Sequence, residues 1–205
     1  MLRSAANIST GPNLDSVHCL QIGTNDGRIK LVGAACAEAT LSSPARSATI
    51  SLHVLRNTGS FLRLCTDGTL ELWSIPLLCL TAHISAPAPD TFVSCHPLQH
   101  DPYVLLGCSS GALRVAAVLS ETCAPLEPAA APGSLRMMPY SVSAEAFNVP
   151  GDTALMSVQP QENAHAGLCA LAVHEWQGVT VYNLRKRMVR RAGLLIANLL
   201  RACLL

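Results

Sequence analysis

The chain has 205 residues, half of them apolar, enough to build a core in one large domain or in a piece of a larger one. With 14 Lys and Arg against 13 Asp and Glu, the formal net charge is +1, which gives no general reason to expect nucleic acid or an acidic substrate as a partner. The 9 cysteines are odd in number, never spaced CxxC, and sit mostly in apolar strand-like runs such as Ser94-Cys95 and Gly107-Cys108. That usage fits a reducing, cytoplasmic compartment better than a disulfide scaffold.

The opening MLRSAANISTGPNL carries a single early Arg3 and no apolar run of signal-peptide length. Secretion is not indicated, Asn7-Ile8-Ser9 reads as a chance sequon, and residues 1–16 are expected to be a disordered N-terminus. From Leu20 to Gly33 the sequence LQIGTNDGRIKLVG alternates apolar and polar residues on either side of Asn25-Asp26-Gly27. This is the pattern of a β-hairpin with a tight primed turn, in which Asp-Gly takes both positive-φ positions and Leu20, Ile22, Ile29 and Leu31 share one buried face.

The phrase then returns. LRLCTDGTLELWSI, Leu62 to Ile75, turns at Asp67-Gly68, with Leu70 and Leu72 alternating with Glu71. YVLLGCSSGALRVAAV, Tyr103 to Val118, turns at Ser110-Gly111, with Leu113 and Val115 flanking Arg114. A weaker copy, LCALAVHEWQGVTVYNL, Leu168 to Leu184, turns at Gln177-Gly178. The turn glycines Gly27, Gly68, Gly111 and Gly178 are separated by 41, 43 and 67 residues. The first two intervals match the ~40–45-residue period of a four-stranded propeller blade. The third is too long, and its excess contains APLEPAAAPGS, residues 124–134, a Pro- and Ala-rich segment read as an inserted surface loop. Ala48 to Leu55, Thr91 to Cys95 and Ala154 to Val158 supply further strand-like runs ahead of the hairpins.

Helical periodicity is weak before the last stretch. The fold class is therefore all-β, an incomplete WD-repeat-like β-propeller of about four blades over residues 17–189, followed by a short C-terminal helix or tail over 190–205. The competing reading, a generic antiparallel sandwich, does not require evenly spaced turns.

Catalytic signatures are missing: there is no GxGxxG, no GxxxxGK[ST], no GxSxG and no HExxH. In CHPLQH, His96 and His100 are four apart, but Pro97 places them in an inter-strand loop and no second Cys pair stands at finger spacing. His18 and His174 fall within strand patterns. The chain is not expected to be an enzyme, and no cofactor, metal, small-molecule substrate or nucleic acid is assigned to it.

In RKRMVRRAGLLIANLLRACLL the basic residues Arg185, Lys186, Arg187, Arg190 and Arg191 precede Leu194, Leu195, Leu199 and Leu200, which recur at helical spacing. Three readings stand: a basic-apolar segment lying on an anionic membrane, a helix covering the last blade, or residues read past a splice site.

Taken in order, these phrases resemble the amino-terminal WD-repeat region of the lethal giant larvae and tomosyn family. The family's opening phrase is matched by Ile22, Gly23, Thr24, Gly27, Ile29, Lys30, Leu31 and Gly33, and its Leu-x-Leu-Trp by Leu70, Leu72 and Trp73. VTVYNLRKRMV is similar to a later blade of that family. The usual Gly-His and Trp-Asp pairs of WD repeats are absent, since Ser74 follows Trp73 and Asn183 follows Tyr182. The resemblance implies a non-enzymatic scaffold that binds syntaxin-type SNARE proteins, regulates exocytosis and vesicle fusion, and has links to polarity and small-GTPase regulation. Its expected place is the cytoplasm, peripheral at the plasma membrane. The alternatives are a WD-repeat adaptor of another pathway and a peripheral membrane protein acting through its basic tail.

Overall fold

The computed structural model describes residues 19–33, 38–55, 58–98, 101–119, 133–142, 154–163, 167–174, 178–184 and 188–191, and every regular element among them is a β-strand. A first sheet holds β1 (Cys19–Gly23), β2 (Arg28–Gly33) and β3 (Glu38–Ser42). The second holds β4 (Thr49–Leu55), β5 (Ser60–Cys65), β6 (Thr69–Ser74) and β7 (Cys79–Ser85). β8 (Phe92–Pro97), β9 (Tyr103–Cys108), β10 (Leu113–Leu119) and β11 (Ser134–Val142) make the third. β12 (Leu155–Asn163), β13 (Gly167–His174), β14 (Gly178–Asn183) and β15 (Met188–Arg191) make the fourth. Each sheet is an antiparallel meander in chain order, and successive sheets pack face to face through β1 on β4, β4 on β8 and β8 on β12. This is the architecture of propeller blades. Most of the Pro/Ala segment 124–134 lies outside the described residues, and Ser134 already opens β11.

The repeated hairpins turn differently from the sequence expectation. In each, the glycine N–H donates to the carbonyl three residues back, Gly27 to Thr24, Gly68 to Cys65 and Gly111 to Cys108, and the glycine is left-handed with φ of 84°, 80° and 80°. Among the described residues the only other side-chain-bearing positions with positive φ are Arg46 and Leu78, so Asn25 and Asp26 are not in the primed conformation. The turn is a normal one followed by a left-handed glycine, the three-residue-loop solution rather than the two-residue one.

The extra loop length shifts the register by one. Gln21, not Ile22, lies opposite Leu31, and Ile22 lies opposite Lys30. Side chains alternate with period two, so a slip of one residue exchanges the faces of a strand. Ile29 and Leu31 are buried as expected, but they share their face with Gln21, while Leu20 is exposed and Ile22 half-buried. Leu70, Leu72 and Leu113 are buried between sheets, with Val115 half-buried.

Because an inner sheet is covered on both faces, its strands read as continuous apolar runs. One face of the second sheet presents Leu62, Leu64, Leu70 and Leu72 to Phe92, Val104 and Leu106 of the third. The other face packs Phe61 and Trp73, whose rings stack at 6.3 Å, against Ile29, Leu31 and Leu41 of the first.

Into that second interface the chain places an ion pair. Arg63 and Glu71 face each other across β5 and β6, fully buried, with Nη1 donating to Oε2 at 2.8 Å. Trp73 Nε1 donates to the same oxygen at 2.9 Å, and the Ser43 hydroxyl, at the exit of the first sheet, donates to Oε1. Arg63 Nε donates to Thr49 Oγ1 at 2.9 Å and Nη2 to the Ser47 carbonyl. Both charges are thus hydrogen-bonded on several sides, the condition under which a buried pair is tolerated.

Two outcomes follow for stability. Replacing Glu71 by Leu is expected to cost about 3–5 kcal/mol in urea denaturation, because it strands the Arg63 charge, and the Arg63→Met/Glu71→Leu double variant is expected to regain part of that loss. Replacing Gly68 by Ala is expected to cost about 1–3 kcal/mol, since the new Cβ would take a left-handed φ and stand 2.9 Å from Thr91 Cβ. Gly59→Ala, whose Cβ would come no nearer than 3.4 Å to Pro76, should cost less.

Candidate interaction face

The meander sorts its connections onto two rims. Turns between second and third strands, and the segments joining one sheet to the next, lie on one rim. Turns between first and second, and between third and fourth, lie on the other.

The first rim is polar and cross-braced. Asp90, on the segment entering β8, accepts from Ser109 Oγ at 2.9 Å, Ser110 N at 3.1 Å and Ser110 Oγ at 2.8 Å. Burial raises its carboxyl, but those hydrogen bonds outweigh it and hold the group below the usual carboxylate range. Ser47 does the same work one sheet earlier, accepting from Asp67 N at 3.1 Å and bonding Thr66 Oγ1 at 2.9 Å. The segments that carry these braces run close over the preceding turn glycines: a Cβ on Gly27 would stand 2.6 Å from the Arg46 carbonyl carbon, and one on Gly68 2.9 Å from Thr91 Cβ. Gly178 opens β14 opposite His174, and its loop at 175–177 lies outside the described residues.

On the second rim one turn is apolar and exposed. Between β6 and β7 the turn Ile75-Pro76-Leu77-Leu78 closes with Leu78 N donating to the Ile75 carbonyl at 3.2 Å. Leu78 takes a left-handed φ of 51°, in the place where the hairpins of the other rim carry glycine. Leu77 is 71% exposed and Leu78 50%. Toward the same rim, between the third and fourth sheets, Leu98, Tyr103, Leu105, Val115, Met138, Tyr140 and Leu184 line an almost wholly apolar pocket of about 230 Å³. Tyr140 Oη donates to the Leu184 carbonyl at 2.8 Å and ties the two sheets together there. Tyr103 stands 39% exposed at its edge.

The sequence reading did not single out Leu77, Leu78 or the pocket. A signal was available in the first case, because two leucines follow Pro76 where a turn needs Gly or Asn. The pocket draws its lining from three strands and two connections, and no sequence window contains it. Of the basic cluster, Arg185, Lys186 and Arg187 lie outside the described residues, as does 192–205, so the membrane segment and helix expected there fall outside them too. Arg190 and Arg191 do not begin a helix: they close β15, opposite Val181 and Thr180, because β14 offers its edge to a fourth strand.

Near the axis, His53 of β4 and His96 of β8 face each other with ring centroids 6.1 Å apart, and His53 Nε2 bonds Ser51 Oγ at 3.1 Å. His96 therefore belongs to a strand rather than to a loop, and His100 lies outside the described residues. No group of three or more His, Cys, Asp or Glu among the described residues is placed to hold a metal ion. Burial pushes His53 down to about 4, with the His96 charge adding to it, and burial lowers His96 as well. The buried thiols of Cys65, Cys95 and Cys108 are pushed up to about 12, chiefly by burial, and are not nucleophiles at neutral pH.

The four stacked antiparallel sheets have the β-propeller fold. No family model matches the chain's sequence, and no curated protein does. Solved structures do. The β-propeller domain of Cps50 (Swd1) from Myceliophteria thermophila matches with a TM-score of 0.62 at 12% identity, over 84% of this chain and 55% of that one. BBS1N, solved in complex with ARL6DN, matches with a TM-score of 0.59 at 16% identity, over 94% and 55%. The C-terminal WD40 domain of Sif2 matches with a TM-score of 0.56 at 14% identity, over 80% and 42%. The chain spans about half the length of these structures, between 42% and 55%.

The histidine pair makes stability depend on pH. Both folded-state values lie below the ordinary 6.5, so the unfolded chain takes up protons first, and stability present above pH 6.5 is lost as the pH falls from there toward about 4. Urea midpoints measured from pH 7.5 to 4.5 are expected to fall across that window. His53→Gln should flatten the slope.

Proposed function

We propose that the chain belongs to a non-enzymatic scaffold that binds protein partners on its apolar rim. The observation that carries this reading is the turn at Leu77 and Leu78, where two large apolar side chains are held in water and one occupies a left-handed conformation costing about 1–3 kcal/mol. Such strain persists where something other than folding selects it. The apolar pocket toward the same rim, with Tyr103 beside it, has the size and lining for an anchoring side chain of a partner.

At the finer level we read the scaffold as one of the lethal giant larvae and tomosyn type, acting in exocytosis through a syntaxin-type SNARE, in the cytoplasm and peripherally at the plasma membrane. The support for this is the order of sequence phrases from Ile22-Gly23-Thr24 to Leu72-Trp73. The propeller class alone would serve an adaptor of another pathway equally well.

Calorimetric titration of the chain with the cytosolic domain of a plasma-membrane syntaxin tests both levels. Binding is expected, with affinity reduced at least tenfold in Leu77→Asp and in Leu78→Gly. Leu78→Gly should meanwhile raise thermal stability by about 1 kcal/mol, because it relieves the left-handed leucine. Absence of syntaxin binding removes the finer reading. Binding that both leucine variants leave unchanged removes the apolar rim as the site.

A further inference from the structure

In a closed propeller every sheet is covered on both faces by its neighbours. Here the packing runs β1 on β4, β4 on β8 and β8 on β12, so the first and the fourth sheets each turn one face away from the other three. Where a stack of repeats simply ends, the terminal unit carries a polar outer face that serves as a cap. Neither end face is built in that way.

Counterpart positions show what the open face of the first sheet is. On the second sheet, Phe61 opposite Trp73 and Arg63 opposite Glu71 look toward the sheet before it. On the third, Val104 opposite Ala116 and Leu106 opposite Arg114 do the same. That register on the first sheet puts Leu20 opposite Val32 and Ile22 opposite Lys30. Leu20 and Lys30 are exposed, Ile22 and Val32 half-buried. Each of these sheets also carries a charge three residues after its turn glycine: Lys30, Glu71 and Arg114. Glu71 meets Ser43, where the chain leaves the preceding sheet, and Arg114 Nε lies 3.9 Å from Asp90 on the segment entering β8. Lys30 stands where the exit of a preceding sheet would meet it. The face is that of an inner blade.

The fourth sheet ends in the complementary way. Val158, Ala170 and Ala172 pack on the third sheet, and since side chains alternate along a strand, Leu171 and Val173 lie on the opposite, open face. Val173 is exposed there, and so is Met156, next to the Ser157 that pairs with Val173. Each internal junction joins the following side of one sheet to the preceding side of the next. The fourth sheet offers a following side and the first a preceding side.

The extent of the four sheets supplies the occupant. They cover 55% of the Cps50 propeller chain and 42% of the Sif2 WD40 chain, about half of a ring. Half a ring sets its two open faces on opposite sides of the ring's axis, and a copy turned by half a revolution presents the matching pair. We propose that two copies of this chain close one ring of twice four sheets, the fourth sheet of each packing on the first sheet of the other. The dimer has two identical junctions, each a continuation of the packing of β4 on β8. It uses the faces of the sheets and leaves the turn at Leu77 and Leu78, on a rim, free for a partner.

Sedimentation velocity tests the closure. At micromolar concentration the natural chain is expected to run at twice the 21.6 kDa mass of one copy. Leu20→Asp and Val173→Asp each put a carboxylate into both junctions, and each is expected to weaken association at least tenfold. An equimolar mixture of the two variants has one junction free of either substitution, and is expected to associate at least tenfold more tightly than either variant alone. Slow hydrogen exchange at residues 103–108 reports that the variants are folded, and Leu20→Ser or Val173→Thr takes the place of one that is not. A natural chain that stays monomeric, or that grows into larger open assemblies, overturns the proposal. A mixture that associates no better than its separate components overturns the pairing of the fourth sheet with the first.

Discussion

The buried pair of Arg63 and Glu71 is the constraint on which the join between the first two sheets depends. A blade covered on both faces leaves no water to satisfy a charge, so each polar atom on β5 and β6 must find its partner within the protein. Glu71 finds three, on Arg63, Trp73 and Ser43; Arg63 finds three, on Glu71, Thr49 and Ser47. Ser43 leaves the first sheet and Ser47 and Thr49 lead into the second, so satisfying one carboxylate fixes where the chain crosses from blade to blade. Apolar packing by Phe61, Trp73, Ile29 and Leu31 supplies the bulk of the contact, but it is non-directional and would accept a range of sheet angles. The ion pair selects one.

The glycine turns extend the same logic to the rim. Gly27 and Gly68 leave room for the segments that enter the next sheets, at Arg46 and Thr91, and those segments in turn brace the following glycine turns, Ser47 accepting from Asp67 N and Asp90 from Ser110 N. The polar rim is consequently braced and largely self-satisfied. The opposite rim has Leu77, Leu78, Tyr103 and an apolar pocket, and in its leucine turn the left-handed position that glycine holds in the repeated hairpins is taken by Leu78. The docking face proposed above is the rim whose groups the fold itself has not used.

Much of the fold was legible because it repeats. Turn glycines at regular spacing located three hairpins, and the runs at 48–55, 91–95 and 154–158 located first strands, without any one segment being decisive. What could not be read were quantities set by neighbours. The alternation around Asp26-Gly27 permits two turn types, and only the preference for a bulged one placed Gln21 inward and Leu20 outward. Nothing in LELW distinguishes Glu71 from a solvent-facing residue, because its burial depends on a different sheet. The candidate face was least legible of all: Leu98, Val115, Met138 and Leu184 are far apart in sequence and converge only when two blades stack. The sequence puts a helix or tail from residue 190, whereas the open edge of β14 draws Arg190 and Arg191 into a strand.

The strictly sequential meander also bears on how the protein comes into being. Each strand pairs only with neighbours next to it along the chain, so a sheet needs no residue that has yet to be synthesised beyond its own last strand. Loop closures within a sheet are short and their entropic cost low, which favours rapid local formation over long-range search. A nascent chain emerging from the ribosome can therefore complete blades in order of synthesis, each new sheet finding the exposed face of its predecessor as a template. In that order the Ser43 hydroxyl is already in place when Glu71 arrives, and the carboxylate enters the interface with a donor waiting for it.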